Sequence, residues 1–112
     1  MKIGNITIEK TAALAPMAGV ADTAFRSLCR EFGAAYVVGE LASAKGLTMG
    51  DKKTARLLQV TEAERPMAVQ LSGDDPAIMA KAAEKALGFS PDVLDINMGC
   101  PAPKVTGTGG GS

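Results

Sequence analysis

Histidine is missing altogether from the 112 residues, and cysteine occurs only twice. These shortages exclude much metal and disulfide chemistry. A structural zinc site needs four Cys or His ligands, and a disulfide framework needs more cysteines at framework-like spacings. Cys29 falls inside a helical pattern and Cys100 in a Gly/Pro turn, so no metal site is expected and a reduced, cytoplasmic setting is. Charge of one sign is lacking too: 12 Lys and Arg stand against 12 Asp and Glu. No global field marks the chain for nucleic acid or membrane, although a local basic patch stays open. No apolar run approaches the ~20 residues that span a bilayer. Met1-Lys2-Ile3-Gly4-Asn5 leads straight into alternating residues and does not resemble a signal peptide. The length sets a ceiling of one domain with an ordinary core.

What is present is a strand–helix alternation. Lys2-Ile3, a Gly4-Asn5 turn and Ile6 to Glu9 predict a short hairpin. Ala12 to Ala15 predicts a strand closed by Pro16. Asp22 caps a helix over Thr23 to Phe32, with Phe25, Leu28, Cys29 and Phe32 expected on its inward face and Gly33 as its stop. Tyr36 to Val38 predicts the next strand, followed between Ser43 and Gln59 by a long connection with amphipathic pieces, anchored by Leu57 and Leu58. Met67 to Leu71 predicts another strand. Asp75-Pro76 opens a helix whose apolar face carries Ile78, Met79, Ala82, Ala83, Ala86 and Leu87, and Gly88 ends it. Val93 to Ile96 predicts a buried strand. After Lys104 the chain becomes Gly-rich, and Gly107 to Gly111 predict a flexible loop where a further helix should begin. That run lacks the Gly-Lys-Ser/Thr ending of a phosphate loop.

Repeated βα units of roughly 25–35 residues mean a parallel sheet covered by helices, either doubly wound or of the (βα)₈ TIM-barrel type. Polar and unusual residues gather at the carboxyl ends of the strands: Pro16 to Gly19, Glu40, Gln70, and Asn97 to Cys100. That gathering favours the barrel. A full barrel needs roughly 250 residues, so the four predicted strands form a half-barrel.

Asp95-Ile96-Asn97-Met98-Gly99-Cys100-Pro101 carries the most chemistry. It sets a thiol just past an apolar strand, with Pro101 ending the strand and Gly99 allowing a tight turn. Asn97 adds an amide donor and a carbonyl acceptor three residues upstream. The thiol, taken alone, is open between a structural turn cysteine and a reactive group. Gln70 is open between a buried, satisfied amide and a ligand contact, Met17 between gap filler and contact, and Glu40 between a strand-end carboxylate and a site role. Lys52, Lys53 and Arg56 fit a solvated helix face, and Cys29 fits the core.

Three motifs in order then resemble the tRNA-dihydrouridine synthases, nearest the bacterial B-type branch. They are Pro16-Met17-Ala18-Gly19-Val20-Ala21-Asp22-Thr23-Ala24-Phe25-Arg26, Val69-Gln70-Leu71-Ser72-Gly73, and Asp95 to Pro101 with Lys104. The resemblance runs the length of the chain. It implies an FMN-dependent enzyme that reduces uridine in tRNA to 5,6-dihydrouridine, with NADPH or NADH recharging the flavin. It implies flavin contacts at Pro16, Met17, Ala18 and Gln70, a general acid at Cys100, a base-holding Asn97, and a phosphate or substrate contact at Lys104. Ala21 departs from the threonine usual in the family, and Leu41 from the methionine common after the glutamate. The resemblance also implies that this is the amino-terminal half of a catalytic barrel. The later flavin-phosphate loops, the flavin-contacting lysine and histidine, and the helical tRNA-binding domain are then missing.

The residues suit that chemistry. Reducing an activated C=C bond needs a hydride that no side chain supplies, hence a cofactor. A thiol with an unperturbed pKa of ~8.5 is largely protonated at neutral pH and can donate a proton. Two other readings stand beside it: a flavin barrel acting on a free pyrimidine, and a non-catalytic fragment whose exposed strand edges and apolar inner face make it self-associate.

Overall fold

A computed structural model describes residues 1–111. The hairpin forms as expected: β1 (Lys2–Ile3) pairs antiparallel with β2 (Ile6–Thr7) across Gly4-Asn5. The remaining strands make one parallel sheet in the order β3 (Ala12–Leu14), β4 (Ala34–Ser43), β5 (Met67–Ser72), β6 (Val93–Ile96). Helix α1 (Thr23–Glu31) joins β3 to β4, and α4 (Pro76–Leu87) joins β5 to β6. Sequential parallel strands with helical crossovers are the arrangement of the first half of a (βα)₈ barrel.

The helix starts follow their caps. The Asp22 carboxylate accepts from the Phe25 amide at 2.8 Å. Asp75 does the same for Ala77 and Ile78, with Pro76 in the first turn. Side chains alternate across the strands, so Val37, Met67, Val69 and Leu71 point together toward the helices. There they meet Leu47, Leu58, Ala82 and Ala86, all fully or nearly fully buried. The two alanines let α4 approach the sheet closely.

Several expectations need correction. Strand β4 does not stop at Val38 but runs to Ser43, with a register shift between Val38 and Leu41. Gly39 and Glu40 break the apolar run that marks a strand, yet they sit in a bulge, which accommodates both. A Cβ at Gly39 would lie 3.0 Å from the Met67 Cε, so the bulge also permits close packing. The amphipathic pieces expected in the long connection after β4 are α2 (Ala44–Thr48) and α3 (Lys52–Arg56), capped by Ser43 and Asp51. Lys52, Lys53 and Arg56 are exposed on α3, as a solvated face should be.

Helix α1 is turned differently from its apolar pattern. Leu28 is 48% exposed and Phe32 85%, whereas Arg26 is 2% exposed. The cause is a buried ion pair. Arg26 Nε donates to Glu64 Oε1 at 2.5 Å, and Glu64 sits in a 3₁₀ turn, Glu62–Glu64. Anchoring the guanidinium inward carries Leu28 and Phe32 outward. Cys29 is half-buried rather than core. Strand β6 is half-buried, with Ile96 53% exposed, because it is the outermost strand of the sheet.

The Gly-rich segment is ordered in turns rather than looping freely. Helix α5 (Pro103–Thr106) is followed by amide-to-carbonyl bonds from Gly107, Thr108, Gly109 and Gly110 back to residues 103–106. Gly110 is buried. Ser112, the residue after this run, lies outside the described residues.

Candidate functional site

At the carboxyl ends of β5 and β6 the sheet register sets Gln70 beside Asp95. Both side chains emerge on the face opposite the helices, and Asn97, two residues beyond Asp95, follows on the same side. A line of hydrogen bonds results. Gln70 Nε2 donates to Asp95 Oδ2 at 2.5 Å, and Asn97 Nδ2 donates to Gln70 Oε1 at 3.3 Å. Asn97 Oδ1 accepts from the backbone amides of Gly99 at 3.2 Å and Cys100 at 3.0 Å. The Asn97 amide nitrogen itself donates to the Leu71 carbonyl at 2.9 Å, holding the segment to β5. Gln70, Asn97 and Cys100 are therefore brought together, as their shared position at strand ends predicts.

The inventory of these amides decides what they can still bind. Gln70 uses one of two N–H donors and one of two lone pairs, so one of each remains for a planar polar ligand. Asn97 spends both carbonyl lone pairs within the chain and keeps one N–H. Gln70 is 6% exposed, so its two internal bonds fix a buried group that would otherwise be costly. Cys100 is half-buried at the rim.

Pro16, Met17 and Ala18 form a second group, on the loop from β3 to α1. The Met17 carbonyl accepts from the amides of Val20 and Ala21 at 3.1 and 2.8 Å, closing a turn. Glu40, in the bulge of β4, accepts from the Gly19 amide at 2.5 Å and ties this loop to the sheet. Met17 is 38% exposed, so it is not filling a gap in the core. Ala18 and Lys104 line one cleft of about 460 Å³, with Leu41, Ser43, Lys45 and Asp74 among its other walls. Lys45 and Lys104 face Asp74 and Asp75 there, so the cleft has mixed charge. Asn97 lines the neighbouring cleft, which shares Gly73, Asp74 and Asp75 with the first. Lys104 thus stands across a shared rim from Asn97, in a separate hollow.

Two features escape a reading of the sequence. Asp95 sits in an otherwise apolar strand, and a carboxylate in such a place needs a partner. That signal points to Gln70 once β5 and β6 are neighbours. Tyr36 is the other: burial first, then the charges of Asp95 and Asp92, raise its pKa from 10.0 to about 12. Among the described residues no cluster of His, Cys, Asp and Glu could hold a metal, and no helix is long and apolar enough to cross a membrane.

Comparison with known proteins extends the argument from geometry to ancestry. The sequence profile of the family described as Dihydrouridine synthase (Dus) matches residues 13–112. The tRNA-dihydrouridine synthase B of Pseudomonas aeruginosa is 41% identical over 113 aligned positions, covering 100% of this chain and 34% of the relative. That of Vibrio parahaemolyticus is 42% identical over 106 positions, covering 94% and 33%. A probable tRNA-dihydrouridine synthase of Treponema pallidum is 35% identical across 100% of this chain and 33% of its own length. The chain spans about a third of the length of these curated relatives. A match that runs from β3 through the Cys100 loop, over a parallel sheet of the expected order, places the chain in the dihydrouridine synthase family.

Proposed function

We propose that the protein to which these residues belong reduces uridine in tRNA to 5,6-dihydrouridine, with FMN as cofactor and NADPH or NADH as reductant. The observation that carries the reading is the hydrogen-bonded line Gln70–Asn97–Cys100 at the ends of adjacent parallel strands. Relatives named for dihydrouridine synthesis on tRNA support it. In this reading residues 1–112 are the amino-terminal part of a flavin-binding barrel domain. The other two thirds of the relatives' length corresponds to the rest of the barrel and a helical tRNA-binding domain. Such a reaction belongs in the cytoplasm, a setting that suits two free cysteines.

The residues present fit a flavin. Gln70 keeps one donor and one acceptor, which suits the amide-like edge of a planar heterocycle. Pro16, Met17 and Ala18 offer a loop with an exposed thioether and small side chains, held by Glu40. FMN, when bound, would supply the hydride that no side chain of this chain can give. The remaining work falls to this chain. Cys100 Sγ delivers a proton to C5, and the thiolate left behind is reprotonated from solvent. Asn97 holds the loop amides and turns its remaining N–H to a carbonyl of the base. Lys104, in the cleft beside it, meets a phosphate of the substrate strand. The base must leave its stack to enter, which suits a flexible RNA loop.

The test compares purified full-length protein on unmodified tRNA and on free uracil. Reduction of tRNA alone is expected. Equal reduction of free uracil would sink the tRNA reading in favour of a free-pyrimidine oxidoreductase. A second reading applies to the 112-residue chain by itself. Its outer strands β3 and β6 expose Ala12, Ala13 and Ile96, so the isolated chain associates through those edges rather than catalysing. Sedimentation as a monomer, with bound flavin absorbance, would overturn that.

A further inference from the structure

We propose that Asp95 is a positioning residue that sets the direction of the whole amide line and thereby fixes the Cys100 loop. The consequence for catalysis rests on the role proposed for Cys100, but the positioning itself does not.

Hydrogen-bond polarity gives the line its direction. A primary amide can face either way, with its oxygen or its nitrogen toward a given neighbour. A line of two amides, Gln70 and Asn97, therefore has two directions. In one, every nitrogen points toward Asp95; in the other, every nitrogen points toward the loop. The two ends decide. A carboxylate only accepts, so Asp95 takes the Gln70 nitrogen at 2.5 Å and excludes its oxygen. Gln70 must then present its oxygen outward, and the Asn97 nitrogen meets it at 3.3 Å. Asn97 must in turn present its oxygen to the loop, where two backbone amides, which only donate, meet it at 3.2 and 3.0 Å. Acceptor-only and donor-only ends demand the same direction. All three junctions are satisfied in that direction; in the reverse only the Gln70–Asn97 contact survives, and both ends set like against like.

Asp95 does not touch Cys100, so its effect travels through two side chains. Without a carboxylate at position 95, Gln70 is free to turn, Asn97 loses its directional partner, and the loop amides lose an acceptor for part of the time. The sheet has no such dependence, because β5 and β6 are held by their own backbone ladder. Nor does the first cap of α4, which uses Asp75.

The test is amide hydrogen exchange, read residue by residue on the 112-residue chain. Asp95→Ala should lower the protection of the Cys100 amide roughly five- to tenfold, the worth of one lost hydrogen bond, while Val69 and Leu71 keep theirs. Unchanged protection at Cys100 would overturn the proposal, as would an equal loss along the whole of β5. The decisive variant restores direction with the chemistry exchanged. Gln70→Glu alone sets two carboxylates face to face and should lose protection. Combined with Asp95→Asn, position 95 donates to the new carboxylate, whose second oxygen accepts from Asn97, and protection at Cys100 should return. A merely structural pair would make the double variant as poor as Gln70→Glu or worse, and that result refutes the inference. The readout involves neither flavin nor tRNA, so it can fail while the proposed reaction stands, and the reverse.

Discussion

Replacing Arg26 with alanine should destabilise the chain more than removing any exposed charge. Arg26 is 2% exposed, and its guanidinium makes four bonds: to Glu64 at 2.5 Å, the Ala21 carbonyl at 2.7 Å, Thr23 Oγ1 at 3.2 Å and the Gln59 carbonyl at 3.3 Å. Glu64 is fully buried, and its other oxygen accepts from the Thr61 amide and hydroxyl, both at 2.8 Å. Arg26→Ala leaves that carboxylate desolvated with two donors and no counter-charge. Breaking a buried pair from one side costs about 3–5 kcal/mol. A 112-residue domain has roughly 6–17 kcal/mol in total, so the loss is a large share. With a urea slope of ~1–3 kcal/mol per molar, the unfolding midpoint should fall by about 1 M or more. The paired variant Arg26→Met with Glu64→Leu removes both charges and should recover much of the loss. Urea unfolding followed by circular dichroism measures both. If Arg26→Ala costs less than about 1 kcal/mol, or the paired variant is no better than the single one, the pair is not the buried clamp described. The clamp matters to the site because Ala21 ends the loop that carries Pro16 to Ala18.

The remaining predictions concern groups nearer the site. Tyr36 is the only tyrosine, so the ultraviolet phenolate band titrates it alone; ionisation should centre near 12 in the folded chain. Because the folded pKa lies above the unfolded one, this contribution is complete below pH 10 and is lost as pH rises from there through 12; a folded midpoint at 10 contradicts it. Gly111 has φ +72°, and a Cβ there would collide with the Cys100 carbonyl. Gly111→Ala should therefore cost about 1–3 kcal/mol and shift the Cys100 amide resonance, and an unshifted resonance at full stability would show that the two segments do not meet. Glu40→Ala frees the Gly19 amide, so protease cleavage between Pro16 and Val20 should become faster with little change elsewhere; unchanged cleavage would mean the 2.5 Å contact does not hold the loop.

The elements legible in the sequence were those with a local cause. Asp22, Asp75, Pro76 and Gly88 mark helix ends through their own backbones, and the α1 and α4 boundaries fall within a residue or so of the predicted ones. Gln70, Asn97 and Cys100 stand at strand ends in the sequence and in space. The rest depends on partners far along the chain. Arg26 looks like a surface residue on an apolar helix until Glu64, 38 residues on, is packed beside it. Glu40 looks like a strand breaker until its bulge is paired with β5 and it meets Gly19. Asp95 has no meaning without its register against Gln70. Lys104 is near Cys100 in sequence, yet it lines the cleft of Ala18 and Lys45.

The central claim is that Cys100 gives the proton. It is tested most directly in the full-length protein, preloaded with FMN and reduced by NADPH, by following flavin reoxidation on mixing with unmodified tRNA. Cys100→Ala should leave reduction by NADPH unchanged and slow reoxidation by about 10²–10⁴-fold, the usual worth of a placed general acid. Reoxidation at the unmodified rate, with dihydrouridine still formed, would contradict the account.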